Sequence, residues 1–222
     1  VELQLTIYKL YTKLEDYYGK TNWWPAEGVF EIIVGAVLTQ NTNWLNVEKA
    51  LNNLKSNRML DYAKILEEKE DRVKKLIRPA GFYNQKYSTL LRICRFIKEE
   101  LDGDFALLKR MSTSNLRDKL LNIKGIGKET ADSILLYCGY HPVFVIDAYT
   151  KRVVNRLGIS QESDYDKLQH IFENALPADA HLYAEYHGLI VEHAKKFCRK
   201  KPVCKECFLA YICEYKTEEK AG

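Results

Sequence analysis

Four cysteines fall within sixteen residues near the end of the chain: Cys198, Cys204, Cys207 and Cys213, spaced C-x5-C-x2-C-x5-C. Four thiolates in one short loop can hold a 4Fe-4S cluster or a single zinc ion. Zinc sites more often show two C-x2-C pairs, and this segment has one. A disulfide framework is the alternative in a secreted chain; in an intracellular one such spacing points to metal. Lys195, Lys196, Arg199, Lys200, Lys201 and Lys205 surround the cysteines. A rigid loop could present these charges to a polyanion. Cys94 and Cys138 lie on apolar helical faces and read as core residues.

A second chemistry-bearing segment runs from Leu121 to Cys138, LNIKGIGKETADSILLYC. Gly125-Ile126-Gly127 separates two amphipathic stretches. Glycines permit a tight turn and let backbone N–H groups approach an anion. A helix starting near Lys128 adds a dipole that favours phosphate. Lys124 and Lys128 add charge, and Ile126 can plug the gap between two helices. A plain helix corner with no ligand is the bland reading of an isolated G-x-G.

Downstream, Asp147 precedes a helical stretch, with Thr150 three residues on. An Asp there is an ordinary helix N-cap. A carboxylate so held can also stabilise a cationic sugar or activate water. The two readings are compatible, because a cap fixes the carboxylate's orientation. All three tryptophans, Trp23, Trp24 and Trp44, flank the apolar run FEIIVGAVL. They could be core. They could equally stack on a flat, electron-poor ring. His187 and His193 read as packing residues.

The elements that must position these groups read as almost all helix. Leu3, Ile7, Leu10 and Leu14 follow helical spacing, and Gly19 offers a stop. Phe30–Leu38 reads as a buried helix, followed by a stripe of Trp44, Val47, Leu51 and Leu54. Pro79-Ala80-Gly81 breaks the chain before a helix at about 85–101. Helices are also expected around Leu116–Ile123, Thr130–Cys138, Val153–Leu157, Tyr165–Ala175 and Ala180–Phe197. Val143–Ile146 is apolar but too short to assign.

The chain has 222 residues, 46% of them hydrophobic, enough for a substantial core. Its net charge is +4, too mild to establish nucleic-acid binding by itself. No stretch approaches the ~20 apolar residues of a membrane span. The charged, amphipathic start does not read as a signal peptide. An intracellular protein without membrane association is expected.

The hairpin segment, with VFVIDAYTKRVVNRLG after it, resembles the endonuclease III superfamily of helix-hairpin-helix DNA glycosylases. The resemblance covers most of the chain. GAVLTQNTNW is similar to the family segment whose Gln, here Gln40, enters DNA where the damaged base has left. IRPAGFYNQKYSTL and EYHGLIVEHAKKFC resemble further family segments. The resemblance implies an all-α, two-lobed fold. A six-helix barrel would span 26–139 and carry the hairpin. Residues 1–25 and 140–222 would form a second helical domain with the cluster loop at 198–213. It also implies that Lys124, Gly125, Ile126, Gly127 and Lys128 face DNA, and that Asp147 is the essential carboxylate. Members that cut the strand carry a Schiff-base lysine in the pattern G-x-G-x-K-T-A. This chain has Glu129 there, which implies a monofunctional enzyme that uses water. Glu129 is a further catalytic candidate, and Lys128, turned about 100° away, would face phosphate.

The W-W-P segment, with Glu129 and Asp147, resembles the branch that removes 3-methyladenine. Carried over, its base pocket falls on Trp24, Pro25 and Trp44, the last a Trp where that branch can have Phe. The family's cluster pattern is C-x6-C-x2-C-x5-C; the first spacing here is one shorter. Some methylpurine enzymes lack the cluster, so its cysteines lean towards the endonuclease-like branches. The resemblance thus implies a monomeric, nucleoid-associated glycosylase acting on double-stranded DNA with methylated purines. Enzymes for deaminated or oxidised bases, and a damage-binding protein without chemistry, are the alternatives.

Overall fold

The computed structural model describes residues 2–21 and 23–215. In chain order its helices are α1 (Glu2–Tyr18), α2 (Val29–Leu38), α3 (Trp44–Ser56), α4 (Tyr62–Glu67), α5 (Glu70–Ile77), α6 (Tyr83–Glu100), α7 (Leu107–Arg110), α8 (Thr113–Leu121), α9 (Lys128–Tyr137), α10 (Ala148–Arg156), α11 (Tyr165–Ala175) and α12 (Ala180–Lys196). Short 3-10 turns cover Arg78–Ala80 and Cys204–Glu206. No strand occurs among the described residues, so the all-α expectation holds. None of their helices is long and apolar enough to cross a membrane.

The chain divides into two compact units, one of residues 25–141 and one of residues 1–24 with 142–222. The first holds α2 to α9. Counted with α4 of six residues and α7 of four, it has eight helices where six were expected. Its centre is α2, buried along nearly its whole length and packed on α3, α6 and α9. Continuous burial explains the unbroken apolar run. Side chains from α3, α6, α8 and α9 complete the core, among them Leu54, Leu90, Leu116 and Ile134.

In the other unit α12 packs against α1 and α10. Of the residues at helical spacing in α1, Ile7, Leu10 and Leu14 are buried, whereas Leu3 in the first turn is exposed. Phe144 stacks on Phe172 at 4.3 Å between centroids and meets Tyr183 and Tyr186 edge-on. The Tyr186 hydroxyl donates to the Ile7 carbonyl at 2.9 Å, so this buried phenol is satisfied. Residues 143–146, unassigned from the sequence, form a buried segment outside any helix or strand. Side chains of α11 satisfy its backbone. Phe144 N–H donates to Glu173, and Gln169 donates to the Phe144 carbonyl at 2.7 Å. The segment is thereby anchored before it delivers Asp147.

Candidate active site

In the hairpin, α8 and α9 are joined by residues 122–127. Ser112 caps α8 by accepting from Asn115 N–H. The two helices are clamped by a two-pronged ion pair. Arg117 Nε donates to Asp132 Oδ1 at 2.7 Å, and Nη2 to Oδ2 at 3.1 Å. Asp132 is fully buried, so this pairing is what makes its charge tolerable there. Ile126 is 6% exposed and fills the space under the turn.

The two glycines differ. Gly125 has φ +101°, and a Cβ there would collide with Thr89 Oγ1. The fold itself requires glycine at this position. Gly127 has φ −97°, and a Cβ there would meet nothing within 4 Å. Nothing inside the protein demands glycine at 127. A bare, exposed backbone at the start of α9, with no side-chain cap, suits close approach of an anion.

Gln40 lies in the loop after α2. Its Nε2 donates to the Gly125 carbonyl and to Thr130 Oγ1, both at 3.0 Å. The loop is held from beneath by Lys86. This buried ammonium donates to the Leu38 carbonyl at 2.8 Å and the Ala80 carbonyl at 2.7 Å. Burial pulls its pKa down to about 8. Asn43 caps α3, where Trp44 is half-buried and donates its indole N–H to Glu48 at 2.7 Å.

In the other unit Asp147 caps α10, its Oδ1 accepting from Thr150 N–H at 2.7 Å. Its Oδ2 stands 3.5 Å from His187 Nε2 on α12. Burial alone would raise the Asp147 pKa. The His187 hydrogen bond and charge, with the bonds from Thr150, outweigh it and hold the carboxyl below the ordinary value. The group is therefore an anion in the neutral range. Trp23 and Trp24 are half-buried. Trp23 lies against Gly188, where a Cβ would come within 2.5 Å of Trp23 Cβ. Lys195 Nζ sits 5.3 Å from the Trp23 ring centroid.

The four cysteines line one cavity with Val153, Leu157, Phe197 and Leu209. Its surroundings are built from α10. Arg152 donates to the Cys198 carbonyl at 2.7 Å. Arg156 donates to Cys198 Sγ at 3.4 Å and to the carbonyls of Arg199 and Lys200. Cys213 Sγ donates to the Arg156 carbonyl at 3.1 Å. Burial pushes the Cys207 thiol up; a bond from Leu209 N–H opposes this, and the nearby Cys198, Cys213 and Cys204 add to it. The four thiols line one apolar cavity, and a cation bound among them would stabilise their thiolates, which is the chemistry of a thiolate metal site. Among the described residues no three His, Cys, Asp or Glu side chains stand as ligands of one ion. A 4Fe-4S cluster takes one thiolate per iron and does not need its sulfurs around a single point. Four cysteine thiols lining one cavity are a donor set that a 4Fe-4S cluster or a zinc ion accepts.

Residues 34–178 match the HhH-GPD superfamily of base excision DNA repair proteins. The chain belongs to that superfamily. This HhH-GPD protein is 54% identical, over 93% of its length and 95% of the relative's, to a candidate DNA repair glycosylase of Methanocaldococcus jannaschii. It is 29% identical to the endonuclease III of Thermotoga maritima, over 84% of this chain and 83% of that one. A solved Helicobacter pylori 3-methyladenine DNA glycosylase, bound to 1,N6-ethenoadenine, is 32% identical with a TM-score of 0.71; the match covers 87% of this chain and 96% of that one. A solved endonuclease III in a non-covalent DNA complex shares the fold, with a TM-score of 0.82 over 99% of both chains at 17% identity. The HhH-GPD chain is thus a DNA repair glycosylase with the helix-hairpin-helix glycosylase fold.

Of the residues singled out from its sequence, Gln40, Lys124, Gly125, Ile126, Gly127, Lys128 and Glu129 share the hairpin's unit, as do Pro25 and Trp44. Gln40 and the hairpin are in direct contact. Trp24, Asp147 and the four cysteines belong to the other unit. Glu129 is exposed in the first turn of α9. Two residues that contact the candidate site's elements escaped sequence reasoning. His187 was assigned to packing, yet its ring faces Asp147. Lys86, given no role from the sequence, is buried.

Proposed function

We propose that this glycosylase is monofunctional and releases methylated purines, 3-methyladenine foremost, from double-stranded DNA. The observation that carries the reading is Glu129 in the first turn of α9, where strand-cutting relatives place a nucleophilic lysine. A carboxylate cannot form a Schiff base, so water takes the nucleophile's place. The 32% identity to a solved 3-methyladenine glycosylase supports the substrate class.

On this reading Asp147 supplies negative charge to the sugar as the C1′–N bond breaks. The bonding pair leaves with the base. Water then bonds to C1′, and its released proton is taken up by the carboxylate and passed to solvent or base. Glu129 is a further candidate for ordering that water. A methylated, positively charged purine leaves readily and needs little acid assistance. Trp24, Pro25 and Trp44 offer it flat surfaces, on which a cationic ring stacks well. Phosphates lie along Gly125-Ile126-Gly127, with Lys124 and Lys128 adding charge. Gln40 fills the gap left by the base.

Cys198, Cys204, Cys207 and Cys213 would hold the 4Fe-4S cluster. The cluster supplies cross-linking of a loop too short to fold by itself. Arg152 and Arg156 clip that loop to α10, and its lysines reach towards DNA. These cysteines, with the endonuclease III relatives, favour one second reading: the same chemistry on oxidised or deaminated bases. Asp147→Asn tests the mechanism. It should abolish base release from methylated DNA and leave DNA binding intact; unchanged release would remove Asp147 from the reaction.

A further inference from the structure

We propose that one turn of α12, Glu185 to Gly188, is the positioning element of the site: His187 fixes the Asp147 carboxylate, and the missing side chain at Gly188 seats the Trp23–Trp24 segment. The inference rests on the reading of Asp147 as the catalytic carboxylate.

Consecutive helix residues point about 100° apart, so one turn can address two directions. His187, 4% exposed, points to Asp147, with Nε2 3.5 Å from Oδ2. Thr150 N–H already holds Oδ1 at 2.7 Å. Thr150 N–H bonds one oxygen and the His187 ring stands beside the other, which limits how far the carboxylate plane can turn. Such contacts are often long in an unliganded site and tighten with substrate. The other direction belongs to Glu185 and Gly188, three apart on one face. The Glu185 carboxylate accepts from Thr21 N–H. A Cβ at 188 would lie 2.5 Å from Trp23 Cβ and 2.7 Å from Thr21 Oγ1, so only glycine lets this segment lie against the helix. Gly188 is buried within α12, where glycine weakens a helix. Close approach of Trp23 accounts for its presence there. The turn itself is firmly placed: Asp179 caps α12 by accepting from His181 and Leu182 N–H at 2.7 and 2.9 Å. The helix then packs on α1 and α10.

His187 is accordingly a positioning residue for Asp147, and Gly188 one for the Trp23–Trp24 segment, whose part in the base pocket belongs to the proposed function. Their effects must fall on different kinetic constants. The experiment uses the full-length protein and duplex DNA containing 3-methyladenine, with hypoxanthine duplex as the competing lesion and thermal melting as the check on folding. His187→Leu should lower kcat by ~10²-fold, the scale of a misplaced reacting group, with KM nearly unchanged. His187→Gln, whose amide reaches the same oxygen, should recover at least ~10-fold of that loss. Gly188→Ala should raise KM by ~10-fold and narrow the preference for 3-methyladenine, with kcat less affected. Should His187→Leu fail to fold, His187→Asn takes its place; its amide is too short to reach Oδ2, and it must be slower than His187→Gln. Wild-type kcat in His187→Leu, or equal losses in the Gln and Asn variants, would overturn the role of His187. Unchanged KM and selectivity in a folded Gly188→Ala would overturn the role of Gly188. Base release by Asp147→Asn, or unchanged KM in Trp24→Ala, would instead remove the underlying readings of Asp147 and Trp24, which keeps the failures apart.

Discussion

Gln40 Nε2 bonds at once to the carbonyl of Gly125 and, on the next element, to Thr130 Oγ1, each at 3.0 Å. One bond holds the hairpin turn and the other the first turn of α9. The loop after α2 and the hairpin are therefore a single braced piece. On the proposed reading, this loop would enter DNA at a fixed offset from the phosphates held at the hairpin.

The two hairpin glycines should separate on substitution. Gly125→Ala forces a Cβ into Thr89 at a positive φ, and should destabilise the fold by about 1–3 kcal/mol. Gly127→Ala has room and an ordinary φ, so the melting temperature should stay within a degree or two of wild type. Its DNA affinity should nonetheless fall, because the new methyl stands where a phosphate must approach. Thermal melts paired with DNA titrations check both.

Asp147 gives the reaction a pH signature. Its folded pKa lies below the ordinary carboxylate value. A depressed carboxylate stabilises the fold above its unfolded pKa of about 4, and that stability is lost as pH falls through the folded value. Base release should then be independent of this group through the neutral range and fail only in more acid solution. A kcat profile from neutral to acid pH checks this; an acid limb near neutrality would contradict an anionic Asp147.

Glu129 makes a prediction about covalent chemistry. Borohydride should trap no protein–DNA adduct with the wild-type enzyme, because no amine occupies that position. Glu129→Lys should gain a trapped adduct with DNA carrying an abasic site. Trapping by the wild type would mean that another lysine reaches the sugar.

Lys86 should prove structural. Replacing it by Met leaves the Leu38 and Ala80 carbonyls without their donor in a buried place. A loss of about 2–4 kcal/mol is expected from two unsatisfied groups. Denaturant unfolding measures it directly.

What could be read from the sequence was what local rules govern. Helical spacing marked Leu3, Ile7, Leu10 and Leu14 as one stripe; the last three are buried, and Leu3, at the helix start, is exposed. Asp147 with Thr150 three residues on announced a cap, and the bond is there at 2.7 Å. Continuous apolarity made α2 a buried helix. What could not be read depends on the chain returning to itself. His187 meets Asp147 from a helix forty residues later, and no periodicity encodes that meeting. Lys86 lies among polar neighbours in sequence, and only the carbonyls of Leu38 and Ala80, brought in by the fold, make burial tolerable. The run 143–146 stayed ambiguous because its backbone partners, Glu173 and Gln169, come from α11 rather than from a neighbouring strand.

The most direct test is base release from methylated duplex DNA, with each reaction divided before analysis. One half is run as it stands and the other after hot alkali. Free 3-methyladenine, with strand breaks only in the alkali-treated half, is the result expected of a monofunctional alkylpurine glycosylase. Breaks in the untreated half would contradict the role given to Glu129. No released methylpurine, with release from uracil, hypoxanthine or oxidised-base duplexes instead, would contradict the substrate assigned to Trp24, Pro25 and Trp44.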